Sequence, residues 1–277
     1  MMRGMFAAIS GLRVHQVMLD VTANDIANVN TIGYKAERTS FKDALSQMQK
    51  GASAPSTTLG GTNGAQVGLG VQLNGIDNLM QSGAIQSTGN ALDCAISGDG
   101  MFRVTDDPTG FGNILYTRAG NFSRDANGDL VTPEGYYVVG FTVDSAGAPT
   151  TTQTTINIPA GTKSVTIGQD GLVTTVDSAG VVTQVAAISL AKFPNDQGLE
   201  RVSGNKFRAS NNSGVETAAV AGTNGLGLIT PGSVEMSNVD LAQEFTNMIT
   251  AQRGFQANSR IISTCDEMLQ ELVNLKH

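Results

Sequence analysis

MFAAISGLRVHQVMLDVTANDIANV, residues 5–29, and FTNMITAQRGFQANSRIISTCDEMLQELVNL, residues 245–275, decide the fold. In the first stretch Met5, Ile9, Leu12, Gln16, Leu19, Ala23 and Ile26 alternate steps of four and three. In the second, Phe245, Met248, Ala251, Phe255, Asn258, Ile262, Cys265, Leu269 and Leu272 follow the same period. A repeat near 3.5 marks helices that pack side by side along their length. The first helix is expected from about Gly4 to Val29, roughly 40 Å long. Asn30, Thr31 and Gly33 should end it, with Gly33 in the left-handed cap position. Val14, Val17 and Val21 make a second row nearly opposite the first, so this helix needs neighbours on two sides. The last helix is expected from Asp240 toward Lys276, about 55 Å, begun by a Ser237–Asp240 capping box or by Asn238 as the cap.

Between the helices the composition changes. The chain of 277 residues holds 33 glycines, no Trp and few aromatics, which reads as much turn and little bulky core. Lys50–Gly64 (KGASAPSTTLGGTNG) has no apolar period and reads as an irregular or extended linker. Short β-runs are expected at 71–76, 101–105, 114–118, 135–143, 165–167 and 181–192. Asp99-Gly100, Asn127-Gly128 and Asp170-Gly171 separate them as turns. TVDSAG occurs at Thr142–Gly147 and again at Thr175–Gly180, each time as a hairpin turn. The fold class is therefore α+β, with N- and C-terminal helices paired as a coiled coil and a mainly antiparallel β middle. The expected domains are 1–35 with 236–277, a connector at 36–80, and a β-rich domain at 81–235.

Several function classes fall away. A net charge of −7 argues against nucleic acid or an anionic membrane as the main partner. No apolar run approaches the ~20 residues of a membrane span, and the start does not read as a cleavable signal peptide. Cys94 and Cys265 are far apart in sequence and read as small hydrophobes. Asp125–Asp129 places Gly128 fourth rather than sixth and lacks the twelfth-position Glu, so the calcium-loop pattern fails. The glycines of Gly68–Gly70 and Gly98–Gly100 lack the third Gly and the helix of a nucleotide fingerprint. Two histidines, His15 and His277, support neither a metal cluster nor a nucleophile–base pair. No catalytic residue, cofactor site or metal site is expected, and the chain is not read as an enzyme. The polar Gln16, Asn24 and Asn28 lie at or beside heptad positions, where they form either a solvent-facing strip or, the favoured reading, interhelical hydrogen bonds that fix register.

NDIANVNTIGYK (Asn24–Lys35) resembles the signature of the bacterial flagellar rod and hook proteins, Asn-Asn-hydrophobic-Ala-Asn and then Thr-x-Gly-aromatic-Lys, with Asp25 replacing the second Asn. VEMSNVDLAQEFTNMITAQRGFQANSRIISTCDEML (Val234–Leu269) is similar to the other end of the family. VGLGV (Val67–Val71), STGNALDCAISGDGMFRV (Ser87–Val104) and YTRAGNFSRDANGDLV (Tyr116–Val131) look like its shared core. The resemblance implies a tube subunit with the terminal helices as the inner domain, β-rich domains outside, and export by the flagellar apparatus without a cleavable signal. Asn24, Asn28, Thr31, Gly33 and Lys35 would be the signature positions. Met5, Ile9, Leu12, Leu19, Ile26, Phe245, Met248, Phe255, Ile262, Leu269 and Leu272 would pack subunit on subunit.

Within that family, EMSNVDLA (Glu235–Ala242) and GYYVVGF (Gly135–Phe141) look more like a short hook protein, transmitting motor torque to the filament from the extracellular hook and basal body. A distal rod subunit is the alternative, since Ser46–Gly64 lies where such proteins carry an insert. A secreted binding protein with a coiled-coil stalk is a more remote one. Implied partners are further copies of the chain, neighbouring axial proteins (rod, hook–filament junction, hook cap) and the export apparatus, with no nucleic acid and no membrane insertion.

Overall fold

A computed structural model describes residues 2–55, 60–144 and 147–275. The fold is α+β, with paired terminal helices and a mainly antiparallel β middle, as expected. The chain divides into two compact units. The helical unit takes Met1–Ala27, Glu37–Asn78 and Asp240–His277; the β unit takes Asn28–Ala36 and Leu79–Val239.

In the helical unit, α1 (Met2–Ala27) packs against α2 (Leu241–Asn274) and against the strands Glu37–Asp43 and Val71–Asn78. The two-sided burial expected of α1 is therefore present, with Val14 buried and Val17 and Val21 half-buried. Asp240 caps α2, its carboxylate accepting from the Ala242 and Gln243 amides at 2.9 and 3.4 Å. The expected cap at Ser237 or Asn238 thus moves to Asp240. Asp is as good a cap as either, and one side-chain oxygen reaches both orphan N–H groups. Lys276 and His277 lie outside the described residues.

The described part of the expected linker, Lys50–Gly64, is mostly unpaired, while the chain on either side of it forms antiparallel ribbons. Strand 37–43 pairs antiparallel with 71–78, and 46–50 pairs with 65–68. An isolated bridge joins Ser53 and Thr62. Backbone pairing needs no apolar alternation, so ribbons of mostly exposed residues leave little trace in sequence. Ser56–Leu59 of the expected linker lie outside the described residues.

In the β unit, twelve strands among the described residues join in one sheet. Strands Met101–Thr105, Tyr137–Val143 and Val182–Lys192 lie in its middle, close to the expected positions. Leu172–Asp177 and Thr217–Val220 both pair antiparallel with the longest of them. Cys94, Ile96, Phe102, Val138, Ile188 and Ile229 are fully buried beneath the sheet. The repeated TVDSAG makes the same closure twice: Gly147 donates to the Asp144 carbonyl at 2.8 Å, and Gly180 to that of Asp177 at 2.9 Å. Ser145 and Ala146 of the first copy lie outside the described residues. In the Asp125–Asp129 segment the Asp125 carboxylate accepts from the Asn127 and Asp129 amides, which closes a hairpin turn.

Candidate functional site: the helix seam and the signature cluster

The seam between α1 and α2 is built from small and polar residues more than from the large apolar stripe. A Cβ on Gly11 would sit 2.5 Å from the Asn258 amide nitrogen, and one on Gly254 would sit 2.5 Å from His15 Nε2. These two reciprocal approaches fix an antiparallel pair, because the earlier residue of α1 meets the later one of α2. Ala8, Thr22, Ala251 and Cys265 are buried along the same two helices. His15 also packs edge-on against Phe41, with ring centroids 6.3 Å apart, and its buried Nδ1 finds no hydrogen-bond partner among the described residues.

Met5, Ile9, Leu12, Leu19 and Ile26 are half-buried, as are Met248, Ile262 and Leu269. Phe245, Phe255 and Leu272 remain 50, 38 and 50% exposed. Gln16 and Asn24 lie on the exposed surface of α1. Asn28, expected to join Asn24 on one helical face, lies past the end of α1, where its side-chain carbonyl accepts from the Thr31 hydroxyl at 3.1 Å. Asp25 is not a neutral replacement within the signature: it is fully buried, and both carboxylate oxygens accept from the Glu37 amide at 3.1 and 3.3 Å.

In the β unit the signature ends in a buried ionic cluster. Strand Ser233–Glu235 pairs with Ile85–Ser87 and carries Glu235 inward. Lys35 Nζ donates to Glu235 Oε1 at 2.6 Å, Arg118 Nη1 to Oε2 at 3.1 Å, and the Gly83 amide to Oε1 at 2.9 Å. Lys35 also donates to the Gln81 carbonyl, and Arg118 to that of Gly98. Burial, with Arg118 adding to it, holds the Lys35 ammonium below the usual lysine range even though Glu235 pulls the other way. One carboxylate serves two buried cations, so removing it strands both.

Gly33 has the expected left-handed backbone, at φ 67°. Its role differs, since α1 has already ended at Ala27. Its amide donates to the Glu235 carbonyl at 2.8 Å, and a Cβ there would lie 2.4 Å from the Ala119 nitrogen. Gly33 is thus a close-approach residue of the β unit. Sequence reasoning missed Glu235 and Arg118, because a charged residue reads as solvated until its partner, here 200 positions away, is seen.

The paired helices, the β unit and the signature closed by Lys35 define an axial assembly subunit, and the comparisons agree. Residues 95–175 match the flagellar hook protein FlgE/F/G D1 domain. Residues 230–275 match the flagellar basal body rod FlgEFG C-terminal family, and residues 5–35 the flagella basal body rod protein family. The flagellar basal-body rod protein FlgG of Bacillus subtilis is 48% identical over all of both chains. That of Agrobacterium fabrum is 37% identical over 96% of this chain and 97% of its own. The chain belongs to the flagellar rod and hook axial protein family. It is a structural subunit of a tubular polymer and not an enzyme.

The expected order within the family is reversed. The flagellar hook protein FlgE of Borreliella burgdorferi is only 29% identical, over an alignment of 446 residues, well below the rod proteins. The hook reading rested on two short segments, Glu235–Ala242 and Gly135–Phe141. Glu235 and Asn238 in the first, and Val139 and Phe141 in the second, are held by the internal packing of the β unit. Such residues report the shared fold rather than the place in the axis.

Proposed function

We propose that this chain is a rod subunit of the flagellar basal body, at the distal part of the rod, and that it polymerises into a tube transmitting motor torque. The observation that carries this is the 48% identity, end to end, to a protein named as a basal-body rod protein. Support also comes from the apolar surface on α2: Phe245, Ile249, Phe255, Met268 and Leu272 are exposed in the single chain. Exposed apolar area of this extent fits burial against further copies. In this reading α1 and α2, within residues 1–35 and 236–277, form the inner wall, and residues 81–235 the outer one. Residues 36–80, most of which fold with the helices, lie between the two in sequence. The stripe residues Met5, Ile9, Leu12, Leu19, Ile26, Phe245, Met248, Phe255, Ile262, Leu269 and Leu272 pack copy on copy. Neighbouring axial proteins and the export apparatus are the partners, and the basal body is the location.

Deleting the gene and imaging basal bodies tests the proposal. A rod subunit leaves rods cut short and no hooks. Complete rods that merely lack hooks would contradict it.

A further inference from the structure

The chain passes between its two units at four places: after Ala27, after Ala36, after Asn78 and after Val239. On the β side, one side chain binds next to three of these crossings. The Asn238 carbonyl oxygen accepts from the Ala36 amide at 2.8 Å. Its Nδ2 donates to the Leu79 carbonyl at 2.8 Å and to that of Gln81 at 3.1 Å. The Leu79 amide closes the ring by donating to the Ala36 carbonyl at 2.8 Å. Immediately behind, Lys35 binds both the Gln81 carbonyl and Glu235, so the same three segments are tied a second time by buried charge.

Asn238 is not spent on helix capping, which Asp240 performs. Nor does it fill an apolar core, being only half-buried. We infer that Asn238, backed by Lys35 and Glu235, is a load-sharing junction that spreads force among three chain crossings of the β unit. The inference rests on the torque-transmitting reading above. A force that arrives along one crossing must open bonds to the other two before that crossing can peel away. Without the junction, each crossing resists alone, and its hydrogen bonds break in sequence.

The test is single-molecule pulling of full-length protein, diluted below assembly, in two geometries. In the first, handles are attached through cysteines introduced at exposed Ser263 of α2 and exposed Ser178 of the β unit. In the second, they are at Ser123 and Ser178, both in the β unit. Native Cys94 is buried in the β unit, and Cys265 of α2 is replaced by alanine in every variant, so neither competes. For Asn238→Ala, the lifetime at constant force should shorten at least about tenfold in the first geometry and under about threefold in the second, as for one or two net hydrogen bonds that lie on one force path only. Asn238→Asp keeps the acceptor toward Ala36 and loses both donors; it should show the same asymmetry, and it serves if the alanine variant does not fold. Equal shortening in both geometries, or no shortening in the first, overturns the junction. Neither result touches the rod assignment, which stands or falls on the basal-body images.

Discussion

The two units bury their residues in opposite ways. In the β unit Ile96, Phe102, Val138 and Ile188 are fully buried, and so are the charges of Lys35 and Glu235. In the helices, among the described residues, the buried apolar side chains are Ala8, Val14, Ala251 and Cys265, while large ones such as Phe245 and Leu272 stay half-exposed. A unit that fills its own core and pairs its own buried charges is stable as a monomer. A helix pair closed by Gly11 and Gly254, with its large side chains outward, gains its remaining burial from neighbours.

The largest effect expected from breaking this contrast is on the β side. Glu235→Gln leaves Lys35 and Arg118 buried without a counter-charge and should cost about 3–5 kcal/mol in denaturant unfolding. Replacing all three as Lys35→Met, Arg118→Leu and Glu235→Leu should recover most of that loss, because the cost lies in the stranded charge. Next comes Gly33→Ala, which combines a left-handed backbone with a Cβ driven into Ala119. It should cost about 1–3 kcal/mol by the same measurement.

Alkaline pH sharpens the contrast further. Burial, and the nearby Asp93 charge, push the Cys94 thiol from 9.0 up to about 12. Above pH 9 the unfolded thiol releases its proton while the folded one keeps it, so the unfolded chain binds fewer protons and stability falls as pH rises. Between pH 9 and 12 the slope from this group should reach about 1.4 kcal/mol per unit. Cys94→Ala should flatten it in pH-dependent unfolding curves. The smallest effect belongs to the helices: Asp240→Ala should cost about 1 kcal/mol of cap, read as faster amide exchange in the first turn of α2 with the β unit unchanged.

Much of this was legible in the residues. The 3.5-residue spacing of Met5–Ile26 and Phe245–Leu272 located both helices, and Val14 announced a second neighbour for α1. Strand 101–105 fell where its short β-run and the Asp99-Gly100 turn placed it. What stayed hidden depends on distant pairing. Lys35 and Glu235 look solvated until the fold brings them to 2.6 Å, and Asn238 reads as a cap because local spacing cannot see Ala36 or Leu79. The ribbon at 46–50 and 65–68 is held by backbone bonds between exposed residues, polar and apolar alike, so no side-chain pattern betrays it. The place of the subunit along the axis was misread for a related reason: the segments used to judge it serve the fold that rod and hook proteins share.

Hydrogen exchange on dilute monomer and on assembled polymer compares the two units most directly. The amides of α1 and α2 should exchange quickly in the monomer and become protected in the polymer, while strands 101–105 and 182–192 are protected in both. Protection of α2 in the dilute monomer equal to that in the polymer would contradict the account.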